Sequence, residues 1–121
     1  MERAYLTTYP TYGLRDNVSK REPTQTLDVF ANNASKVTTE ALEVLIKKQA
    51  DYGPTNISNA PGGALNGLRV RIFDKVSRIN NLIDTGATPQ NESLRDSFLD
   101  LANYGLIALM VLDGTWDNTN E

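Results

Sequence analysis

Leu65, Leu68, Ile72, Val76, Ile79 and Ile83 recur at steps of three and four residues, the spacing that lines up side chains along one side of a 3.6-residue helix. A strand could not bury such a stripe, because its side chains alternate between two faces. This part of the chain is therefore committed to a helix laid against other helices, predicted to end at Gly86. Two further segments read the same way. Residues 38–50 open on the hydroxyls of Thr38 and Thr39 and run from early acids to late lysines, the charge order that complements a helix dipole. They are expected to stop at Tyr52-Gly53-Pro54, where glycine permits a left-handed cap and proline forbids continuation. In the last segment Ser93 is the expected cap and Asp96 the reciprocal acid of a capping box. That helix is expected to bury Phe98, Leu101, Ala102, Ile107 and Leu109 or Leu112. Thr26 to Ala31 adds one or two helical turns, with Thr24 or Thr26 available as cap. No alternating pattern competes, so the expected fold is all-α: a small bundle of three main helices plus a short N-terminal helix.

With 121 residues, 40% hydrophobic, there is room for one modest core and no second domain. Residues 1–23 carry Tyr5, Tyr9, Tyr12, two prolines and Gly13 without a sustained period; they read as an irregular N-terminal arm ahead of a helical domain over 24–121. The loop from Thr55 to Gly63 is rich in Asn and Gly and suits close approach of backbone to a ligand. Leu106 to Leu112 is apolar nearly all round, as in a helix at the centre of a bundle or in a subunit interface. So thin a core favours a homo-oligomer, with sites built between chains.

Composition also excludes chemistries. The chain has neither Cys nor His, which removes disulfides, thiolate nucleophiles, imidazole bases and imidazole metal ligands. A net charge of −3 argues against duplex nucleic acid as a partner, while leaving room for a local phosphate site. No apolar run approaches the ~20 residues of a membrane span, and Met1-Glu2-Arg3 is not followed by a signal-peptide segment. The expected location is the cytoplasm, with no membrane partner.

Four cations stand within the central helix of this acidic chain. Arg71, Lys75 and Arg78 share one face, with Arg69 on its flank. Guanidinium forks and an ammonium gather phosphate oxygens by charge-assisted hydrogen bonds; the alternative is a solvated face on which Asp74 pairs with Arg78. Upstream, Asp51, Tyr52 and Asn56 stand where the first long helix opens into the Gly-rich loop. Tyr52 can stack on a base, and Asp51 or Asn56 can read a base edge or a sugar hydroxyl. Glu40 and Glu43 share a helix face with Lys47 a turn beyond, and Asp96, Asp100 and Asn103 form a second line. Two helices each offering two acids are the minimum oxygen set for Mg²⁺, the one cofactor these residues suggest. A helix cap accounts for Asp96 without a metal, and an ion pair with the basic helix for Asp100. Trp116, after the last helix, is expected to seal the bundle edge.

Taken together, Lys47-x-x-x-Asp51-Tyr52-Gly53, the stretch Asn66 to Leu82 and Asn91-Glu92-Ser93-x-x-Asp96-x-x-x-Asp100-Leu101-Ala102-Asn103-Tyr104 resemble the nucleotide-modification-associated domain of phages and bacteria, over about residues 38 to 113. The resemblance implies a small helical protein that handles a nucleotide or cyclic nucleotide. It would act in nucleotide modification or as a viral sponge that sequesters a nucleotide signal of host defence. Its ligand contacts would include Lys47, Asp51, Tyr52, Asn56, Arg69, Arg71, Lys75, Arg78 and Asn103. Glu40-x-x-Glu43 is also similar to the first acidic motif of the all-α nucleotide pyrophosphohydrolases, the MazG-like enzymes and dimeric dUTP pyrophosphatases. That likeness implies a Mg²⁺-dependent pyrophosphohydrolase using Glu40, Glu43, Asp96 and Asp100. Asp96-x-x-x-Asp100 departs from the Glu-x-x-Asp spacing of the second motif, so slow or absent turnover is expected. A purely structural helical oligomer is the third reading.

Overall fold

The computed structural model describes residues 25–117, so the Tyr-rich arm and Thr24 lie outside the described residues. Four helices follow in order: α1 (Gln25–Tyr52), α2 (Thr55–Ser58), α3 (Ala64–Thr85) and α4 (Leu94–Asp113). No strand occurs among the described residues, in agreement with the all-α reading. The chain divides after Thr39 into two compact units. The described part of the first, residues 25–39, is helical throughout; the second contains the core and the cleft described below.

The helical turns expected over 26–31 and the helix expected over 38–50 belong to the same element, α1. Neither Thr38 nor Thr39 caps it. Thr38 Oγ1 instead donates to the carbonyl of Ser35 at 3.0 Å, the back-bond of a threonine inside a helix. At its other end α1 stops where the sequence says it should. Gly53 takes a positive φ of 69° and its N–H reaches the carbonyl of Gln49 at 2.8 Å, a turn that an L side chain would strain. The following loop is more structured than its composition suggests, because Thr55–Ser58 form one helical turn that drops Ile57 into the core.

Helix α4 starts on the expected capping box: Asp96 N–H donates to Ser93 Oγ at 3.0 Å, and Ser93 N–H to Asp96 Oδ2 at 3.4 Å. Removing the hydroxyl strands one of the free N–H groups at the helix start. Ser93→Ala is therefore expected to lower unfolding free energy by about 1 kcal/mol, read as a shift in the urea midpoint at unchanged slope.

The core is small. Ile57, Leu68 and Ile107 form its buried centre, and Leu45, Ala64, Tyr104 and Trp116 are among the half-buried side chains packed around them. Helix α3 lies so close to the loop after α2 that a Cβ on Gly67 would fall 2.4 Å from that of Ala60. Of the stripe on α3 only Leu68 and Ile79 are fully buried; Leu65, Val76 and Ile83 are exposed. Helix α4 departs further from expectation. It buries Ile107 as expected, together with the small polar side chains of Ser97 and Asn103, while Phe98, Ala102, Leu106, Leu109 and Leu112 face outward. Among the described residues no helix is long and apolar enough to cross a membrane.

Candidate functional site

A cleft of about 300 Å³ opens where the end of α1, the α2 turn, α3 and α4 meet. Helical phase explains what each element contributes. Tyr52 stands one turn beyond Lys48 on α1, so both reach the same side as Leu45. Arg71 lies one residue short of a turn beyond Leu68, at the border between the core and the cleft. On α4, Asp100, Asn103, Tyr104 and Ile107 sit at three- and four-residue steps and present one continuous wall. Asn56 closes one end of the cleft and Trp116 another. Trp116 is anchored there by its indole N–H, which donates to the carbonyl of Pro54 at 3.1 Å. It thus closes the bundle edge, as expected, and also serves as a cleft wall.

Behind this wall lies a network of ions. Lys75 Nζ sits 2.8 and 2.9 Å from the two carboxylate oxygens of Glu92 and 2.9 Å from Asp100 Oδ2. The other oxygen of Asp100 is 3.2 Å from Lys48 Nζ. Arg78 donates to Ser97 Oγ at 2.8 Å and to the backbone carbonyl of Glu92, and the Ser97 hydroxyl donates in turn to Glu92 Oε2 at 2.7 Å. Burial alone would push Lys75 down. The hydrogen bonds it donates to Glu92 and Asp100, with their charges, outweigh it and hold the ammonium above its ordinary range. Glu92 is held below the ordinary carboxyl range, first by the hydrogen bond from Lys75 and then by that from Ser97, against the opposing effect of burial. Both groups stay charged near neutrality, so neither is poised to exchange a proton there. They are structural ions.

Two cations remain directed to the cleft. Arg71 is half-buried and, among the described residues, makes only a 3.3 Å hydrogen bond, to the carbonyl of Asn56. Lys48 is exposed and shares Asp100 with Lys75. Counting Lys48, Arg71, Lys75 and Arg78 against Glu92 and Asp100, the cleft and its back wall carry more positive than negative charge on a chain whose net charge is −3. Two amide oxygens are also without partners among the described residues: Oδ1 of Asn56 and Oδ1 of Asn103. Asn103 cannot reverse its amide, because its Nδ2 already donates to the carbonyl of Ala41 at 3.1 Å. The end left over is always an acceptor.

The structure thus sorts the sequence-derived residues. Tyr52, Asn56, Arg71, Asp100 and Asn103 come together in the cleft. Lys75 and Arg78 do share the face of Arg71, yet they are turned to Glu92, Ser97 and Asp100; Asp74 takes no part. Arg69 points elsewhere and bonds Asn66 Oδ1. Lys47 and Asp51 are exposed and line no part of the cleft.

The four acids considered for Mg²⁺ do not converge. Glu40 is gripped by both guanidinium arms of Arg95 at 2.6 Å, a hydrogen bond that lowers its pKa. Asp96 caps its own helix, Asp100 pairs with Lys48 and Lys75, and Glu43 faces outward. Among the described residues no three acidic side chains gather as a metal ligand set, so the residues present do not fit the ion.

Sequence reasoning passed over Lys48, Glu92, Ser97 and Tyr104. The phase of Ala41, Leu45 and Tyr52 would have selected Lys48 over its neighbour Lys47. Glu92 and Tyr104 stand in the stretch that carries the family resemblance, but spacing gives Glu92 no role, because its partners come from two different helices.

A family model described as nucleotide modification associated domain 1 matches residues 48–112. That span contains every cleft-lining residue except Leu45 and Trp116. No curated protein and no solved structure matches the chain.

Proposed function

The chain belongs to the family of nucleotide modification associated domain 1, and from that premise we propose that its cleft binds a phosphorylated nucleoside. The observation that carries this reading is the pairing of Arg71 and Lys48 with the rings of Tyr52, Tyr104 and Trp116 around a single cavity of about 300 Å³. A nucleotide needs both kinds of surface: π faces against which a base can stack and cations for phosphate oxygens. The volume lies at the lower end of the roughly 300–1,000 Å³ of small-molecule sites, which favours one nucleoside unit over two. In this arrangement Arg71 and Lys48 take the phosphate. Asn103 and Asn56 accept from N–H or O–H groups of base or sugar, which would give their free oxygens the partners that buried amides require.

The same geometry favours holding over hydrolysing. Pyrophosphate release would need a metal and an aligned water, and the acids that would supply them are held apart by Arg95, by the α4 cap and by the two lysines. A protein that binds without turnover suits delivery of a nucleotide for modification, or sequestration of a nucleotide signal.

Isothermal calorimetry with the common nucleoside mono-, di- and triphosphates tests the reading; no heat from any of them would refute it. Arg71→Ala is expected to weaken binding by about tenfold or more, as loss of a charge-assisted hydrogen bond worth roughly 1.5–3 kcal/mol requires. Arg69→Ala, on the other side of α3, is expected to leave affinity unchanged.

A further inference from the structure

We propose that the cleft takes a nucleoside monophosphate in preference to the di- and triphosphate of the same nucleoside. The inference rests on the reading of the cleft as a nucleotide site and adds to it the number of phosphoryl groups. Among the described residues, the charged side chains lining the cleft are Lys48, Arg71 and Asp100. Behind them Lys75 and Arg78 stand against Glu92. The cleft and its back wall thus hold an excess of two positive charges. A phosphate monoester carries about −1.5 to −2 at neutral pH, which matches that excess. Each further phosphoryl group adds negative charge for which the cleft offers no further cation.

The α4 wall reinforces the limit. Asp100 Oδ1 is 3.2 Å from Lys48 Nζ, so a second phosphoryl group drawn to Lys48 would be set against a carboxylate. One turn along, Asn103 is 5% exposed and its amide oxygen is without a partner among the described residues. Its nitrogen is engaged by the Ala41 carbonyl, so it presents an acceptor only. An ionised phosphate chain consists of acceptors, and neither side chain can hydrogen-bond it. That wall suits the N–H and O–H groups of a base or sugar.

The devices that hold longer phosphate chains are directed elsewhere. Mg²⁺ commonly neutralises a triphosphate while bound to carboxylates, but Glu40, Asp96 and Asp100 are each engaged by other partners. Glycines before a helix can turn several backbone N–H groups toward phosphates. Gly62 and Gly63, with φ of 82° and 97°, stand just before α3 in that way, yet neither lines the cleft. Ala64, the next residue, opens instead on a separate hollow of about 150 Å³ beside Val111. Lys75 and Arg78 could follow a longer chain only by leaving Glu92 and Ser97.

The test is calorimetry at one salt concentration, with and without Mg²⁺, using the nucleoside and its mono-, di- and triphosphates for each common base. For the base bound best, the monophosphate is expected to bind about tenfold or more tighter than the triphosphate under both conditions, since an unmatched like charge at short range costs at least that much. Gln49 is half-buried and lines the cleft. Gln49→Lys supplies one more cation there and is expected to narrow the gap by roughly threefold, the scale of a single solvent-exposed ion pair. A triphosphate bound as tightly as the monophosphate overturns this inference and leaves the nucleotide reading standing. So does a gap that Gln49→Lys leaves unchanged, because charge would then not set it. Absence of binding by every nucleotide overturns both.

Discussion

Leu68→Ala is expected to lower the unfolding free energy by about 2–5 kcal/mol, the range for removing a buried leucine from a core that cannot collapse around the gap. Leu68 is only 1% exposed and packs with Ile57 and Ile107, the other members of the buried centre. Its neighbours are poorly placed to close in. Ile57 is fixed on the one-turn helix α2, and the contact of Gly67 with Ala60 already holds the loop against α3. The buried hydrophobic set among the described residues has only five members, Ala41, Ile57, Leu68, Ile79 and Ile107, so little remains to compensate. Denaturant titration by circular dichroism measures the loss. A fall of less than 1 kcal/mol would show that the core is shared differently from what the packing indicates.

Lys75→Met should be the next largest change, and its size should depend on pH. The substitution keeps much of the side-chain volume and removes the ammonium that sits between Glu92 and Asp100. Two partly buried carboxylates are left facing each other; removing one partner of such a set costs about 2–4 kcal/mol, somewhat less than for a fully buried pair. The wild-type pH dependence follows from the two shifts. Because Glu92 is lowered, its contribution is present above the unfolded value of 4.5 and is lost as pH falls through the folded value. Because Lys75 is raised, its contribution is present below the unfolded value of 10.5 and is lost as pH rises through the folded one. Wild type should therefore weaken on acidification below the unfolded carboxyl value of 4.5. In Lys75→Met, by contrast, protonation relieves the repulsion, so the gap between variant and wild type should narrow as pH falls. Urea midpoints of both proteins at pH 7 and pH 4 supply the check, and a gap that stays constant would mean that Lys75 acts through its alkyl chain alone.

Local rules read the helices well. The capping box at Ser93, the stop at Gly53 and the end of α3 at Gly86 all rest on residues adjacent in sequence, and all stand where expected. The joining of residues 26–31 to 38–50 was not legible, because hydroxyls at Thr38 and Thr39 fit a cap and a helix interior alike. Burial was only half legible. Periodicity shows which residues share a face, as on α3, but not how far the neighbouring elements extend over it; hence Val76 and Ile83 lie bare while Leu68 and Ile79 are covered. The site divides along the same line. Asn56, Tyr52, Arg71, Asp100 and Asn103, singled out by residue type, spacing and the family resemblance, line one cleft. The use of Lys75 and Arg78 as internal ions depends on Glu92 and Ser97, which come close only when the α3–α4 connection folds back, a long-range fact that no local spacing encodes.

The tether from Trp116 to the Pro54 carbonyl has a practical consequence. This is the chain's single tryptophan, and it forms part of the cleft wall. Its emission is therefore a built-in optical gauge of that cavity, sensitive to a ring stacked beside it and to release of its N–H into water. Occupancy, exchange rates and the loosening of the C-terminal turn can all be followed in unlabelled protein by fluorescence, with no residue altered.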